Sequence, residues 1–177
     1  THLLTLFPYT TLFRSMINIF ARPLGGIIAD KVGKIYGFSG KNVLLALLLI
    51  VEGIGIIFFG LTEQLGLAIF LMFLFGMSLK MANGATYSLV PFINPKAVGS
   101  VAGIVGAGGN IGAMLIAFLF KAKAVKVTKD VIDTNGLSKT KELIDYTDAF
   151  YTLGIIIFIT GIIVLAVKYA IKTKDSE

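Results

Sequence analysis

Four long apolar runs constrain this chain more than any other feature of its sequence. Each run is long enough to cross about 30 Å of hydrocarbon at 1.5 Å per residue. Backbone N–H and C=O groups find no water in lipid, so such runs should form α-helices that satisfy their own hydrogen bonds. The sequence therefore predicts an all-α membrane protein with spans at Val43–Leu61, Leu65–Ile93, Val98–Phe120 and Ala149–Val167.

A fifth apolar run, Met16–Ala29, is too short to cross alone, and we interpret it as the inner half of a helix. Residues 16–177 are thus expected to form one transmembrane bundle, with helices near 16–29, 43–61, 65–93, 98–120 and 149–167. Polar segments separate the runs, and they are Asp30–Asn42, Thr62–Gln64, Asn94–Ala97, Lys121–Asp148 and the tail Lys168–Glu177.

Composition supports a bilayer environment. Apolar residues make up 56% of the 177 residues, and the mean hydropathy is +0.88, whereas soluble domains have about 45–50% apolar residues. The net charge is +6, and most of the lysines lie in loops and the tail beside apolar spans, which favours lipid headgroups over nucleic acid as the partner. The chain has no cysteine, so disulfides and thiolate chemistry are excluded. We expect no cofactor and no metal.

We expect the first fifteen residues to be a sequencing artefact, and the alternative is a genuine apolar N-terminus or a signal segment. The string TLFPYTTLFRS at Thr5–Ser15 matches the in-frame translation of a widely used short-read sequencing adapter. It lacks the basic start and the small-residue cleavage site of a signal peptide. His2 therefore carries no functional weight, and we expect the chain to be a truncated part of a longer protein.

Arg22 is the strongest candidate for a substrate-binding residue. It follows Phe20 in F-A-R-P-L-G-G, roughly 12 Å inside the membrane by helical rise. An arginine at that depth is costly unless it faces a water-filled cavity or an anion. Its planar fork of donors suits a planar oxyanion such as nitrate or a carboxylate. The alternatives are a snorkelling side chain and an arginine paired with an acid elsewhere.

Three further segments carry polar or small residues at membrane depth. In G-I-I-A-D-K-V-G, we expect a helix end with a charged gating latch made by Gly26, Asp30, Lys31 and Gly33.

In N-G-A-T-Y-S-L-V-P, Asn83 and Tyr87 could donate to a substrate or to another helix. The glycine-rich segment Gly99–Gly112 places Gly103, Gly106, Gly109 and Asn110 where a helix or a small ligand could approach the backbone.

Glu52 and Lys80 are charged residues within two neighbouring apolar runs. Their depths from the inner face are about 14 Å and 20 Å by helical rise. We expect an ion pair between Glu52 and Lys80, which would offset the cost of both charges in lipid. Proton coupling is the alternative role.

The three glycine-containing and polar segments together resemble the nitrate/nitrite porters of the major facilitator superfamily, closest to the high-affinity nitrate transporter branch. The matching strings are RPLGGIIADKVG, NGATYSLVPFI and GSVAGIVGAGGNIGA. The resemblance implies twelve helices, of which this chain holds the end of the eighth through the twelfth. It also implies that Arg22 is one of two arginines that clamp the anion, and that the glycine-rich segment lines the central cavity.

The resemblance further implies a secondary transporter of nitrate or nitrite, working by proton symport or by exchange, in a bacterial inner membrane with the C-terminus in the cytoplasm. Its partners would be the anion, lipid and the missing N-terminal half of the polypeptide. Two alternatives stay open, namely a carrier of another small anion such as a carboxylate and a non-transporting packing module. No nucleophile and base appear together at membrane depth, so an enzyme is not expected.

Overall fold

The computed structural model describes the backbone of residues 2–132 and 138–174, and the side chains of residues 19–128 and 142–167. Within these ranges the chain forms four helices and one β-hairpin. The elements in chain order are α1 (His2–Leu61), α2 (Leu65–Ile93), α3 (Val98–Lys123), β1 (Val125–Ile132), β2 (Ser138–Asp145) and α4 (Thr147–Lys174).

Helix α1 runs through the segment Asp30–Asn42 that the sequence analysis treated as a loop. Its only residue with non-helical angles is Gly37, at φ 65° and ψ −156°. Glycine adopts a positive φ without the strain that a Cβ would add, so the chain bends there between an N-terminal arm (residues 2–36) and a C-terminal arm (residues 38–61). The expected helix end near Asp30 is therefore wrong. The exclusion of residues 1–15 stays a prediction.

Four helices of the described chain are long and apolar enough to cross a membrane. The qualifying segments are Ile19–Leu61, Leu65–Ile93, Val98–Lys123 and Thr147–Val167. Helix α2 has the predicted bounds, while α3 and α4 extend a few residues beyond theirs. The predicted all-α membrane fold is thus confirmed for the membrane-spanning part.

Small residues let the C-terminal arm of α1 pack closely on α4. A Cβ built on Gly53 would lie 2.7 Å from the Phe158 backbone nitrogen and 2.8 Å from the Gly154 carbonyl oxygen. A Cβ on Gly161 would lie 2.9 Å from Cγ1 of Ile50. Backbone therefore contacts backbone along this interface, which is the usual way that membrane helices associate.

An aromatic cluster joins all four helices at one end of the bundle. The Phe59 ring of α1 packs edge-on against Phe75 and Phe150, with centroids 5.5 and 5.1 Å apart. Phe120 of α3 continues the cluster, 5.0 Å from Phe150 and 5.9 Å from Tyr146. Such edge-to-face pairs stabilise beyond their buried area. This cluster matters for α3, which has no buried residue of its own.

The polar stretch Lys121–Asp148 contains an antiparallel hairpin that the sequence analysis did not predict. Strand β1 pairs with β2 from Val125↔Asp145 to Ile132↔Ser138. The string VKVTKDVI is rich in β-branched residues and partly alternates, which is typical of a strand. The hairpin lies beside the α1–α2 turn, where Leu61, Val127 and Leu143 help line a cavity of about 460 Å³.

Candidate functional site

Arg22 and Tyr87 form the centre of the candidate site. The guanidinium carbon of Arg22, on the N-terminal arm of α1, lies 4.8 Å from the centroid of the Tyr87 ring on α2. This is cation–π geometry. At the other end of Tyr87, the hydroxyl lies 3.5 Å from where a Cβ on Gly106 of α3 would stand. Tyr87 therefore connects the arginine to the glycine-rich helix.

Two glycines fix the position of Arg22 by allowing α1 and α2 to cross in contact. A Cβ on Gly84 would collide with the backbone carbonyl of Arg22, and a Cβ on Gly25 would collide with the backbone of Met81. Because backbone cannot rotate away as a side chain can, larger residues here would push the helices apart. Gly84 therefore allows the close crossing of α1 and α2.

A cavity of about 690 Å³ opens beside this crossing. It brings together six of the seven residues predicted to bind substrate, and leaves out Gly103. Its lining consists of Arg22, Lys80, Asn83, Thr86, Tyr87, Val105, Gly106, Gly109, Asn110 and Ala113. Helices α1, α2 and α3 therefore all contribute to one site.

The lining of the cavity is cationic. Arg22 and Lys80 are its charged residues, and none of the ten lining residues is acidic. Among the described residues, neither cation takes part in an ion pair. Two unpaired positive charges beside amide and hydroxyl groups favour an anionic ligand, since charges at membrane depth need compensation. The cavity volume is in the range of small-molecule sites.

Thr86 lines the cavity but is not a free donor. Its hydroxyl donates a 2.8 Å hydrogen bond to the Ala82 carbonyl one turn earlier in α2. This leaves the hydroxyl oxygen as an acceptor, which does not help to bind an anion. The side chains of Asn83 and Asn110, by contrast, are exposed to the cavity.

The glycine face of α3 does not pack against another helix of the described chain. A Cβ added at Gly99, Gly103, Gly108, Gly109 or Gly112 would meet no atom within 4 Å. At Gly106 it would meet the Tyr87 hydroxyl. The glycines therefore leave a stretch of α3 accessible. Binding of a small ligand and packing of another helix both remain predictions for this segment.

The expected ion pair between Glu52 and Lys80 is wrong. Glu52 is 3% exposed, and its Oε2 atom has no hydrogen-bond partner. Lys80 lies instead in the cavity. Helical rise gave both residues similar depths but did not fix rotation about the helix axes. Lys80 precedes Asn83 and Tyr87 by three and seven residues, a spacing that puts all three on one face of α2.

The charged latch uses a different lysine from the one predicted. Lys41, not Lys31, lies 2.6 Å from the Asp30 carboxylate, and its ammonium also donates to the Ser88 carbonyl at 3.0 Å. Lys31 is exposed. The bend at Gly37 turns the chain so that Lys41 faces Asp30 and the end of α2 at once.

Gly33 and Gly26 differ in what they contribute to the latch. A Cβ on Gly33 would collide with Cε of Lys41 and lie 3.1 Å from its Cγ, so this glycine makes room for the lysine stem. A Cβ on Gly26 would stand in ordinary contact, 3.7 Å from the Gly84 carbonyl oxygen. Lys41 was not among the predicted latch residues. The indication in the sequence is that it is a single lysine beside Gly40, at the start of an apolar run.

Membrane-spanning helices around a cationic cavity define a multi-pass membrane protein. Curated proteins show what the chain is similar to. The chain is 36% identical over 102 residues to the high affinity nitrate transporter 2.7 of Arabidopsis thaliana, covering 58% of this chain and 21% of that protein. It is 30% identical over 103 residues to the nitrate/nitrite transporter NrtP of Picosynechococcus, covering 56% and 18%. The resemblance to the nitrate/nitrite porters of the major facilitator superfamily is therefore confirmed.

A further relative has a different named cargo. Elsinochrome transporter 1 of Elsinoe fawcettii is 32% identical over 121 residues, covering 64% of this chain and 23% of that protein. No protein-family model and no solved structure matches the chain. The chain spans about a fifth of the length of the curated relatives that it matches. All of these relatives are transporters, which confirms that the chain is related to transporters and not to enzymes.

Proposed function

We propose that this chain is part of a secondary transporter that carries nitrate or nitrite by alternating access. The observation that carries the proposal is the cavity in which Arg22 lies over Tyr87 with no acidic residue in the lining. Relatives named for nitrate transport support the choice of anion.

Arg22 would bind the anion directly. A guanidinium offers parallel N–H donors in a plane, so it can donate two hydrogen bonds to two oxygens of a planar ion. The Tyr87 ring restricts the guanidinium to one orientation, which reduces the entropy lost on binding. Asn83 and Asn110 supply neutral amide donors in the same cavity, and the open backbone at Gly109 would admit a small, flat ion.

Alternating access would require the latch to break and reform. We place the Asp30–Lys41 pair and the C-terminus on the cytoplasmic side of the plasma membrane, following the resemblance. Lys41 contacts both arms of α1 and the Ser88 carbonyl of α2, so it stabilises the arrangement in which these ends are together. Coupling by proton symport or by nitrate/nitrite exchange is compatible with this site.

The transport path would need more helices than those described. The relatives are about five times as long as the segment they share with this chain, so we propose that an N-terminal half supplies the facing wall and a second clamping arginine. On its own the chain would then be inactive.

Anion selectivity tests the proposed function. The complete transporter that contains this chain is reconstituted in liposomes, and uptake of isotopically labelled nitrate is measured with unlabelled nitrite, formate or chloride as competitors. We expect saturable nitrate uptake that nitrite inhibits and formate does not. Inhibition by formate at equal concentration would favour a carboxylate carrier. Absence of nitrate uptake, together with absence of labelled formate uptake in a parallel assay, would favour a packing module.

A further inference from the structure

Lys80 is a charged residue that the anion clamp does not account for. It lies on the same face of α2 as Asn83 and Tyr87, and it lines the cavity with Arg22. No ion pair involves it among the described residues. Glu52, the acid predicted to pair with it, is buried, and its Oε2 atom has no hydrogen-bond partner. An ammonium at membrane depth faces either water or an anion, and a cavity lined by two cations and no acidic residue attracts anions.

We propose that Lys80 is a second anion-binding residue, which attracts the substrate into the cavity and sets its affinity. This inference rests on the proposed function and deepens it. Arg22 and Lys80 would have different tasks because their charged groups differ. The arginine fork orients a planar ion, whereas an ammonium on a flexible stem is a point charge that interacts at several positions along a path.

The charge of Lys80 would act over a distance. Electrostatic attraction in a cavity with apolar walls is screened less than in water, so one cation raises the local concentration of anions. Removing that charge should weaken capture of the ion and leave the later steps of transport intact. Replacing lysine by arginine should keep the effect, because no particular hydrogen-bond geometry is required.

The test measures the KM and kcat for nitrate uptake in proteoliposomes of the complete transporter. We expect Lys80→Gln to raise KM about tenfold with kcat within twofold, and Lys80→Arg to stay within threefold of the parent KM. The KM of the parent should also rise with ionic strength, and that of Lys80→Gln should rise less, since salt screens the attraction. Lys96→Gln is the matched control. Lys96 lies exposed in the α2–α3 turn, so the same loss of charge there should leave KM unchanged.

Three outcomes would overturn the inference. An unchanged KM in Lys80→Gln would show that the charge does not act on the anion. A loss of protein from the membrane with an unchanged KM in the remainder would show a structural role. An equal rise in KM in Glu52→Gln would show that the two residues act as a pair.

The failure of the proposed function would look different. If the parent takes up formate and not nitrate, the nitrate proposal fails. The inference about Lys80 is then tested by measuring the KM for formate in the same Lys80 variants. If the parent takes up neither anion, both proposals are overturned.

Discussion

The ammonium group of Lys41 lies 2.6 Å from the Asp30 carboxylate, and the Gly37 bend of α1 lies between them in the chain. The two partners differ in environment, because Lys41 is 3% exposed and Asp30 is 61% exposed. The same ammonium donates to the Ser88 carbonyl and lies 4.4 Å from the centroid of the Phe92 ring. A lysine withdrawn from water thus joins both arms of α1 to the end of α2.

Because of this difference in exposure, we expect substitution of Asp30 and substitution of Lys41 to lower the stability of the protein by different amounts. Asp30→Asn leaves a buried ammonium without its counter-charge, and we expect it to cost about 1–3 kcal/mol. Lys41→Met leaves a carboxylate that water can solvate, and it keeps most of the stem packing, so it should cost less. Thermal unfolding of the chain in detergent compares the two variants and their double mutant, which should be no less stable than Asp30→Asn alone.

Lys31→Met is the matched control for the latch. Lys31 is exposed and lies next to Asp30 in sequence, and surface substitutions of this kind usually change stability by about 0.5 kcal/mol or less. A loss of stability in Lys31→Met as large as that in Asp30→Asn would contradict the assignment of Lys41 as the basic partner.

Gly33→Ala should disturb the latch through Lys41. The added methyl would occupy the space of the Lys41 stem, and this flexible side chain would have to shift away from Asp30. We expect a loss of stability in the parent that shrinks in the Lys41→Met background, where a different side chain can repack. A double-mutant cycle on melting temperatures measures this coupling. Equal effects of Gly33→Ala in both backgrounds would show that the glycine does not act through Lys41.

Glycines of α2 should differ sharply in their tolerance of alanine. Gly84→Ala would drive a methyl into the Arg22 carbonyl, so we expect it to cost about 1–3 kcal/mol by overpacking and to reduce nitrate uptake by moving Arg22. Gly76 lies on the same helix with no atom within 4 Å of its added Cβ. Gly76→Ala should therefore stabilise the helix by up to about 1 kcal/mol. Equal destabilisation by both substitutions, in the same unfolding assay, would refute the close crossing.

Tyr87 should act through its ring more than through its hydroxyl. A cation–π contact contributes about 0.5–2 kcal/mol, and it would also restrict the orientation of the Arg22 guanidinium. Tyr87→Phe keeps the ring, and we expect its nitrate KM to stay within about threefold of the parent, whereas Tyr87→Leu should raise KM by about fivefold or more. If Tyr87→Phe is as defective as Tyr87→Leu, the hydroxyl itself donates to the substrate, as the sequence analysis allowed.

Much of the fold follows from the apolar runs, because lipid forces long apolar segments into helices and loops interrupt them visibly. Helix α2 has its predicted bounds at Leu65 and Ile93 for this reason. The continuation of α1 beyond Asp30 was not predictable in the same way. Charged residues predict a loop there, whereas a single positive φ at Gly37 turns the chain and leaves both sides helical. The hairpin of β1 and β2 was missed because polar residues hid its β-branched alternation.

For the site, too, the sequence predicts how deep a residue lies along its helix, but it does not predict the direction in which the side chain points. Residue depth along a helix follows from counting, and counting indicated that Arg22 lies inside the membrane. Rotation of one helix against another depends on which residues pack at the crossing, here Gly25 and Gly84. The sequence analysis therefore paired Lys80 with Glu52 by depth alone, although Lys80 faces the cavity.

The central claim is that the guanidinium of Arg22 binds the transported anion, and nitrate uptake by Arg22→Lys tests it most directly. Lysine keeps the positive charge and removes the planar fork, so the loss of charged hydrogen bonds should lower kcat/KM by about 10- to 100-fold. Uptake is measured with the complete transporter in proteoliposomes and is divided by the amount of inserted protein. Lys80→Arg is the control, because it exchanges the same two residue types in the same cavity in the opposite direction. Uptake by Arg22→Lys within twofold of the parent at the same KM would contradict the claim.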